Sequence, residues 1–402
     1  MAGQVVSTTG AWVQRVAQDW LVLTLTGSAA AVGVTTALQF LPTVLFGLAS
    51  GWIADRWPKR RVLQCTQATM AVLAGVLAGL AITHRVTAWE VQVIAFCVGM
   101  TTAVNNPARQ SFVAEMVGRG QLRNAVSLNA SVFQLGRLAG PAISGILLAS
   151  VGSGYAFAFN AASFIAPLCA LSLIREDELI RSPAVGTGGG SGTRLTDGVR
   201  YVTARPDMLC AIVLAGVFGM FTTSLPVTLA AAARSVLHAG SGGYAFLTCV
   251  IAVGSLGGAL LSARRPGTTL RGLLRIGAAL AVCEMLAAAP TARWSYGIIL
   301  LPVGAAVVLF STSANTLVQL AATDVVRGRV LSVYLLVFLG SGALGGPLVG
   351  AIDQHLGPRT GLFLAGVVSV AATVAVRIVR RAAPAAADTD RPPQRAPLGQ
   401  VR

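Results

Sequence analysis

Charge is what this chain most lacks. Of its 402 residues only 11% are Asp, Glu, Lys or Arg, against about 25% in soluble domains. A soluble protein of this length would carry far more ionic surface, so water is not its main solvent. Alternation of apolar and polar residues over about ten positions is also absent, which excludes a membrane β-barrel. No C-x-x-C, H-E-x-x-H or G-x-x-x-x-G-K-[ST] occurs, so the chain holds no phosphate cradle for ATP and no recognisable thiol or zinc centre. Its six cysteines (Cys65, Cys97, Cys169, Cys210, Cys249, Cys283) sit singly inside apolar runs and read as small hydrophobes. No nucleophile–base pair stands out, so an enzyme is not expected, nor a cofactor. A cleavable signal peptide is not expected either: the first apolar run contains Gln14, Arg15, Gln18 and Asp19, too polar for a signal core. That run starts almost at Met1 without a basic lead-in, which points to a natural start further upstream.

What the chain has is hydrophobic length. Fifty-four per cent of it is hydrophobic and its mean hydropathy is +0.72. Apolar runs occupy 3–26, 30–54, 62–83, 88–108, 122–149, 155–175, 207–232, 241–263, 272–290, 295–320, 328–352 and 358–379. Each is near the roughly 20 residues that a helix needs to cross about 30 Å of hydrocarbon. We refer to them as spans 1 to 12. The expected fold is an all-α membrane protein of twelve transmembrane helices.

The net charge of +16 would suit nucleic acid, but the distribution of basic residues excludes that partner. If the loop at 56–61 is cytoplasmic, 24 of the 30 Lys and Arg residues fall on that side. Four (Arg85, Arg234, Arg293, Arg359) fall opposite and two (Arg15, Arg137) lie within spans. This is the positive-inside pattern. It predicts a multi-pass protein of the plasma (inner) membrane with both termini in the cytoplasm, the lipid bilayer being its partner rather than DNA.

Composition shifts sharply after span 6. Residues 175–179 read REDEL, 186–192 read GTGGGSG, and several arginines follow. This suggests a flexible cytoplasmic linker over 175–206. It divides the chain into an N-terminal six-helix bundle (1–174) and a C-terminal one (207–381), with a disordered cytoplasmic tail at 382–402, rich in Ala and Pro. The halves resemble each other: Gly136, Gly140 and Pro141 superpose on Gly342, Gly346 and Pro347 at a constant offset of 206. Two pseudo-symmetric bundles related by an axis along the membrane normal would have this layout.

The short loop between spans 2 and 3 reads GWIADRWPKRR (51–61). Its charge density places it among lipid headgroups, and it could be no more than an orientation signal. Alternatively Asp55, an acid at a helix end beside Arg56, Lys59, Arg60 and Arg61, binds a cation or caps another helix when the halves close. Gly51 opens this candidate gating latch, and Arg109, at the end of span 4, is a plausible partner.

The pattern G-x-x-A-D-R-x-x-[KR]-R-R between spans 2 and 3 resembles the best-known loop motif of the major facilitator superfamily. Residues 10–63, including LTGS at 25–28, and NNPARQSFVAEMV at 105–117 are most similar to the branch containing the enterobactin exporter and macrolide-efflux-like proteins. Pro58 stands where the superfamily usually has Gly. The equivalent second-half loop, SARRPGTTLRG (262–272), lacks the acid. The resemblance implies the major facilitator fold, transport by alternating access and no obligate partner subunit, hence a monomer.

Span 5 carries Gly136, Arg137, Gly140, Pro141 and Gly145. Glycines at this spacing allow close helix approach, and Pro141 permits a bend. In the superfamily a similar stretch accompanies exporters that exchange substrate for protons, so the resemblance favours efflux. Ionisable groups at membrane depth are costly and usually functional. Arg15 and Asp19, one turn apart on span 1, are expected to pair directly, and Asp19 is the candidate proton carrier with Arg15; a static, self-neutralising pair is the competing reading. Glu284 on span 9 has no assigned role. Gln14, Gln18, Asn105, Asn106, Thr222, Thr223, Asn315 and Gln319 are candidate cavity-lining residues. Few fixed charges among apolar walls suit amphiphilic organic compounds.

The expected function is therefore secondary active transport of a small organic substrate. Proton-coupled export of a drug-like or siderophore-like compound leads. The alternatives are a proton-coupled or facilitative importer, and a membrane sensor or scaffold that moves nothing.

Overall fold

The computed structural model describes residues 2–174, 191–265, 267–290, 292–323 and 326–382. Side chains at 48–55, 117–127 and a few neighbouring positions lie outside that description. The described elements are all helical: α1 (Ala2–Thr26), α2 (Ala29–Arg56), α3 (Lys59–Ile82), α4 (Ala88–Ser150), α5 (Ser153–Ser163), α6 (Ile165–Leu173), α7 (Ser191–Thr203), α8 (Pro206–Ser235), α9 (Gly240–Ala263), α10 (Leu270–Ala287), α11 (Arg293–Ala321), α12 (Arg327–Leu356) and α13 (Pro358–Ala382). Eight described segments are long and apolar enough to cross a bilayer. Helix α1 is not among them because its polar stripe lowers its mean hydropathy.

Local sequence sets the ends of these helices. In LTGS, Gly27 adopts φ +67°, a left-handed conformation that terminates α1 at little steric cost. Ser28 Oγ then accepts from Ala31 N at 3.2 Å and starts α2. Glu90 accepts from the Thr87 backbone at 2.8 Å, half of a capping box that opens α4.

Two spans differ from expectation. Backbone helix runs unbroken through Ala88–Ser150, where separate helices at 88–108 and 122–149 with a loop between them are expected. That segment has no proline between Pro107 and Pro141, and residues such as Gln110, Glu115, Met116 and Gln121 favour helix. The chain still crosses twice. Glu115 reaches Lys59, at the start of α3, across 2.8 Å. Farther on, Gly136 and Gly140 pack on Thr8 and Trp12 of α1, and Ser144 Oγ donates to the Val13 carbonyl at 3.1 Å. Both α1 and α3 begin beside the short helix α6, Gly3 against Ala166 and Pro167, Arg60 against the Leu171 and Ser172 carbonyls. The chain direction therefore reverses between Glu115 and Gly136. Span 6, conversely, is split into α5 and α6 at Phe164, since Pro167 has no N–H to donate to the turn before it. Element order thus accommodates the twelve spans.

The linker also departs from expectation. Its residues 175–190 lie outside the described set, but α7 is a helix within 175–206. Helix α7 sits on the C-terminal half: Arg329 bonds Asp197 at 3.1 Å, Arg205 donates to the Ala321 carbonyl at 2.8 Å, and Val202 is buried. The expected tail from 383 onward is outside the described residues.

The halves meet along pseudo-equivalent helices. Gly136 and Gly140 hold α4 against α1, while Gly145 touches Ala245 of α9 in the other half. Correspondingly, Gly342 and Gly345 hold α12 against α8, while Gly346 and Gly350 touch α2. The α2–α12 seam is tightest away from the basic loops. A Cβ on Gly33 would stand 2.1 Å from the Gly346 carbonyl oxygen, so these backbones approach only because both residues are glycine. At the same end Ala29 N donates to Gln354 Oε1 at 2.7 Å, and the Arg234 guanidinium holds the Leu23 carbonyl. Towards the basic face the seam relaxes. A Cβ on Gly340 would reach only Val44, at 3.8 Å, and Leu45 and Phe46 are 60% and 41% exposed. The seam between the halves is therefore tightest at the end away from the basic loops.

Candidate functional site

Between the halves lies a cavity of about 610 Å³, within the range of small-molecule sites. Its lining comes from α1, α2, the second arm of α4, α8, α9, α11 and α12. Trp12, Val16, Phe40, Leu225, Leu229, Ile251, Val307 and Phe338 supply apolar wall; Thr222, Thr223, Thr248, Ser311, Thr312, Asn315 and Gln319 supply neutral hydrogen-bonding groups. The cavity's ionisable lining residues, apart from the phenols of Tyr244 and Tyr334, are Arg15, Asp19 and Arg137.

The carboxylate of Asp19 is buried and accepts a hydrogen bond from the Tyr244 phenol at 3.0 Å. Tyr244 is itself fully buried and stacks on Trp20, ring centroids 6.1 Å apart. This bond crosses from the N-terminal half to the C-terminal half. The Arg15–Asp19 pair that their spacing permits is not formed at ion-pair distance. Among the described residues no ion pair within 4.0 Å involves Arg15, whose guanidinium instead lies over Trp12 (5.7 Å to the ring centroid) and Phe40 (5.1 Å). One helical turn permits such a pair, but aromatic faces attract a guanidinium as well.

Several expected cavity residues lie elsewhere. Gln14 and Gln18 are buried inside the N-terminal half: Gln14 Oε1 accepts from Asn160 Nδ2 of α5 at 2.6 Å, and Gln18 Nε2 has no partner. Asn105 accepts from Thr66 of α3 at 3.0 Å, joining α3 to α4. Asn106 is half-buried and also stands off the cavity. Gln14 and Asn105 thus serve helix packing within one half. By contrast Thr222, Thr223, Asn315 and Gln319 do reach the cavity wall, as do Arg137 and Pro141. Gly136, Gly140 and Gly145 serve helix approach. Tyr244 was not singled out from sequence, although a phenol within an apolar span, one of only five tyrosines, is a signal that could have found it.

At the basic face Lys59 and Arg60 make contacts within the N-terminal half. Lys59 pairs with Glu115, and Arg60 donates to the last carbonyls of α6, where a cation is favoured. Gly51 and the Asp55 side chain of the expected latch, with any contact to Arg109, fall outside the described set. Arg109 Nε is buried without a hydrogen-bond partner; Arg56 and Arg61 are exposed.

Glu284 is buried but does not line the cavity. Its Oε2 lacks a hydrogen-bond partner.

Comparison with known proteins places this architecture. A family described as transmembrane secretion effector matches residues 1–398. The multidrug efflux pump Tap of Mycolicibacterium fortuitum is 27% identical over 384 residues, 90% of this chain and 91% of that protein. The staphyloferrin A transporter of Staphylococcus aureus is 30% identical over 168 residues, 41% and 42% of the two chains. Macrolide efflux protein A of Streptococcus pyogenes is 26% identical over 146 residues, 36% of each. Among solved structures, a bacterial homologue of the human lysosomal transporter Spinster, inward-facing and occupied, superposes with a TM-score of 0.72 at 15% identity, covering 94% of this chain and 96% of that one. The chain is a multi-pass membrane transporter and not an enzyme, and it belongs to the transmembrane secretion effector family of the major facilitator superfamily.

Proposed function

We propose that this protein is a proton-coupled exporter of amphiphilic drug-like or siderophore-like compounds, working by alternating access as an antiporter. The observation that carries the reading is an apolar-walled cavity between the halves whose one carboxylate among the described lining residues, Asp19, is bonded across the halves to Tyr244. The names of the relatives, two of them efflux proteins and one a siderophore transporter, support export and the class of cargo.

In this reading the basic face is cytosolic, both termini lie there, and the protein sits in the plasma membrane as a monomer. The rocking units are residues 1–174 and 207–381. The state closed at the Gly33–Gly346 seam is then the one that loads cargo from the cytosol. Ionised Asp19 receives a charge-assisted hydrogen bond, worth roughly 1.5–3 kcal/mol, whereas a neutral pair contributes roughly 0.5–1.5 kcal/mol. Asp19–Tyr244 is accordingly a lock on the resting carrier. A proton on Asp19 weakens it, and so does cargo that draws the Tyr244 phenol away. Each opens the same bond, so outward passage with cargo and return with a proton can alternate. The cations at 56–61, with Asp55 and Arg109, would set the closing contacts on the cytosolic face.

The test is export of a fluorescent substrate from cells expressing wild-type, Asp19→Asn or Asp55→Asn protein, with and without a protonophore. Wild-type export should stop with protonophore, and Asp19→Asn should remove the proton-driven component. Export that survives both changes removes proton coupling. Absence of movement for every compound in a broad panel favours a sensor.

A further inference from the structure

The charge of the cavity carries information about cargo that no relative's name supplies. Two guanidiniums, Arg15 and Arg137, line it with one carboxylate, and that carboxylate already accepts from Tyr244. Neither arginine forms an ion pair with a described residue; the described pairs are Lys59–Glu115, Arg329–Asp197 and Arg380–Asp207. They come from different spans, α1 and the second arm of α4, which pack together where Gly136 meets Thr8 and Gly140 meets Trp12. Unpaired cations at membrane depth are costly. Retaining two on the wall of one cavity, one of them lying over Trp12 and Phe40, is what a site for an oxyanion requires. Arg presents a planar fork that matches a carboxylate with two parallel hydrogen bonds. The surrounding wall is apolar and aromatic.

We infer that the cargo is an amphiphilic organic carboxylate, its acid group held between Arg15 and Arg137 and its apolar body lying against the walls formed by α8, α9 and α12. This rests on the export reading above and narrows its substrate class. It also constrains coupling. A carboxylate beside Asp19 and a proton on Asp19 favour each other electrostatically, so they do not compete for one site. Exchange must then arise at the switching step, where either of them opens the Asp19–Tyr244 lock.

The test is binding rather than transport, so that its failure is separable from failure of the export reading. Full-length protein in discs of zwitterionic lipid is titrated with pyrenebutyrate, its methyl ester, and a pyrene-alkyl trimethylammonium of matched length. Energy transfer from tryptophan reports binding, with protein-free discs as the blank. Wild type should bind the carboxylate about tenfold or more tightly than the ester, the size of one charge-assisted contact. Arg15→Gln and Arg137→Gln should each lose about tenfold for the carboxylate and leave the ester unchanged. Equal affinity for the three probes, preference for the ammonium, or equal loss for carboxylate and ester in both variants would overturn the inference. A phospholipid headgroup offers the same oxyanion chemistry. If discs containing phosphatidylglycerol abolish carboxylate binding through the same arginines, the occupant is lipid and the assignment of a soluble cargo fails; unchanged binding in such discs supports it.

Discussion

The Tyr244 phenol donates to Asp19 Oδ2 across 3.0 Å, although 225 residues separate the two in sequence. Both side chains are buried, and the bond links α1 to α9, hence one half of the transporter to the other. It is the one hydrogen bond of the Asp19 carboxylate among the described residues. Tyr244→Phe keeps the ring and its stacking on Trp20 while removing the donor. Leaving a buried carboxylate without its partner costs about 1–3 kcal/mol, so the variant should melt earlier in detergent. It should also move cargo with fewer protons per molecule. Unchanged proton stoichiometry in proteoliposomes would contradict the lock.

The glycine seam predicts a change in conformational preference. A side chain on Gly33 has no room, because its Cβ would stand 2.1 Å from the Gly346 carbonyl oxygen. Gly33→Val should destabilise the state closed at this end by about 1–3 kcal/mol, shifting the equilibrium towards the state open there by roughly fivefold or more. Cysteine labelling at Ala29 and Gln354 from the side opposite the basic loops should accelerate accordingly. Labelling at the wild-type rate would show that the seam is not the closed gate.

Glu284 and Asp19 are both buried acids, but only Asp19 borders the cavity. Glu284→Gln should therefore leave export and its pH profile unchanged. Removing a buried ionisable group with an unpartnered oxygen should keep the melting temperature the same or raise it. A shifted pH profile would give Glu284 a part in coupling.

Lys59 and Glu115 are both partly solvent-accessible, so their pair is screened. Neutralising either should cost no more than about 1 kcal/mol. Charge reversal at both positions together should restore whatever the single reversals lose, as measured by thermal melts and export rate. Failure of the swap to restore it would mean that each residue acts through another partner.

Much of the fold was legible because a bilayer demands long apolar segments and tolerates charge only at their ends. The LTGS turn, the loop at 51–61 and the glycine repeats at offset 206 all mark helix ends or close contacts. Legibility failed where meaning depends on a neighbour. Residues 14 and 18 share one stripe of α1 and residues 15 and 19 the next; periodicity separates the stripes but not which of them meets α5 and which meets the cavity. Hence Gln14 was expected at the wall and is bonded to Asn160 instead. Asn105 reads as a cavity residue until Thr66 is seen opposite it. Tyr244 gains its importance only from contact across the halves. The glycine-rich 186–192 likewise obscured the helix that follows it, whose Val202 is buried.

Proton flux driven by cargo tests the central claim most directly. Wild-type protein and Asp19→Asn are reconstituted in liposomes enclosing a pH dye, and a transported compound is added on one side. Wild type should move protons against the direction of cargo, while Asp19→Asn should still exchange cargo for cargo and move no protons. Proton movement of equal size through Asp19→Asn would contradict the account.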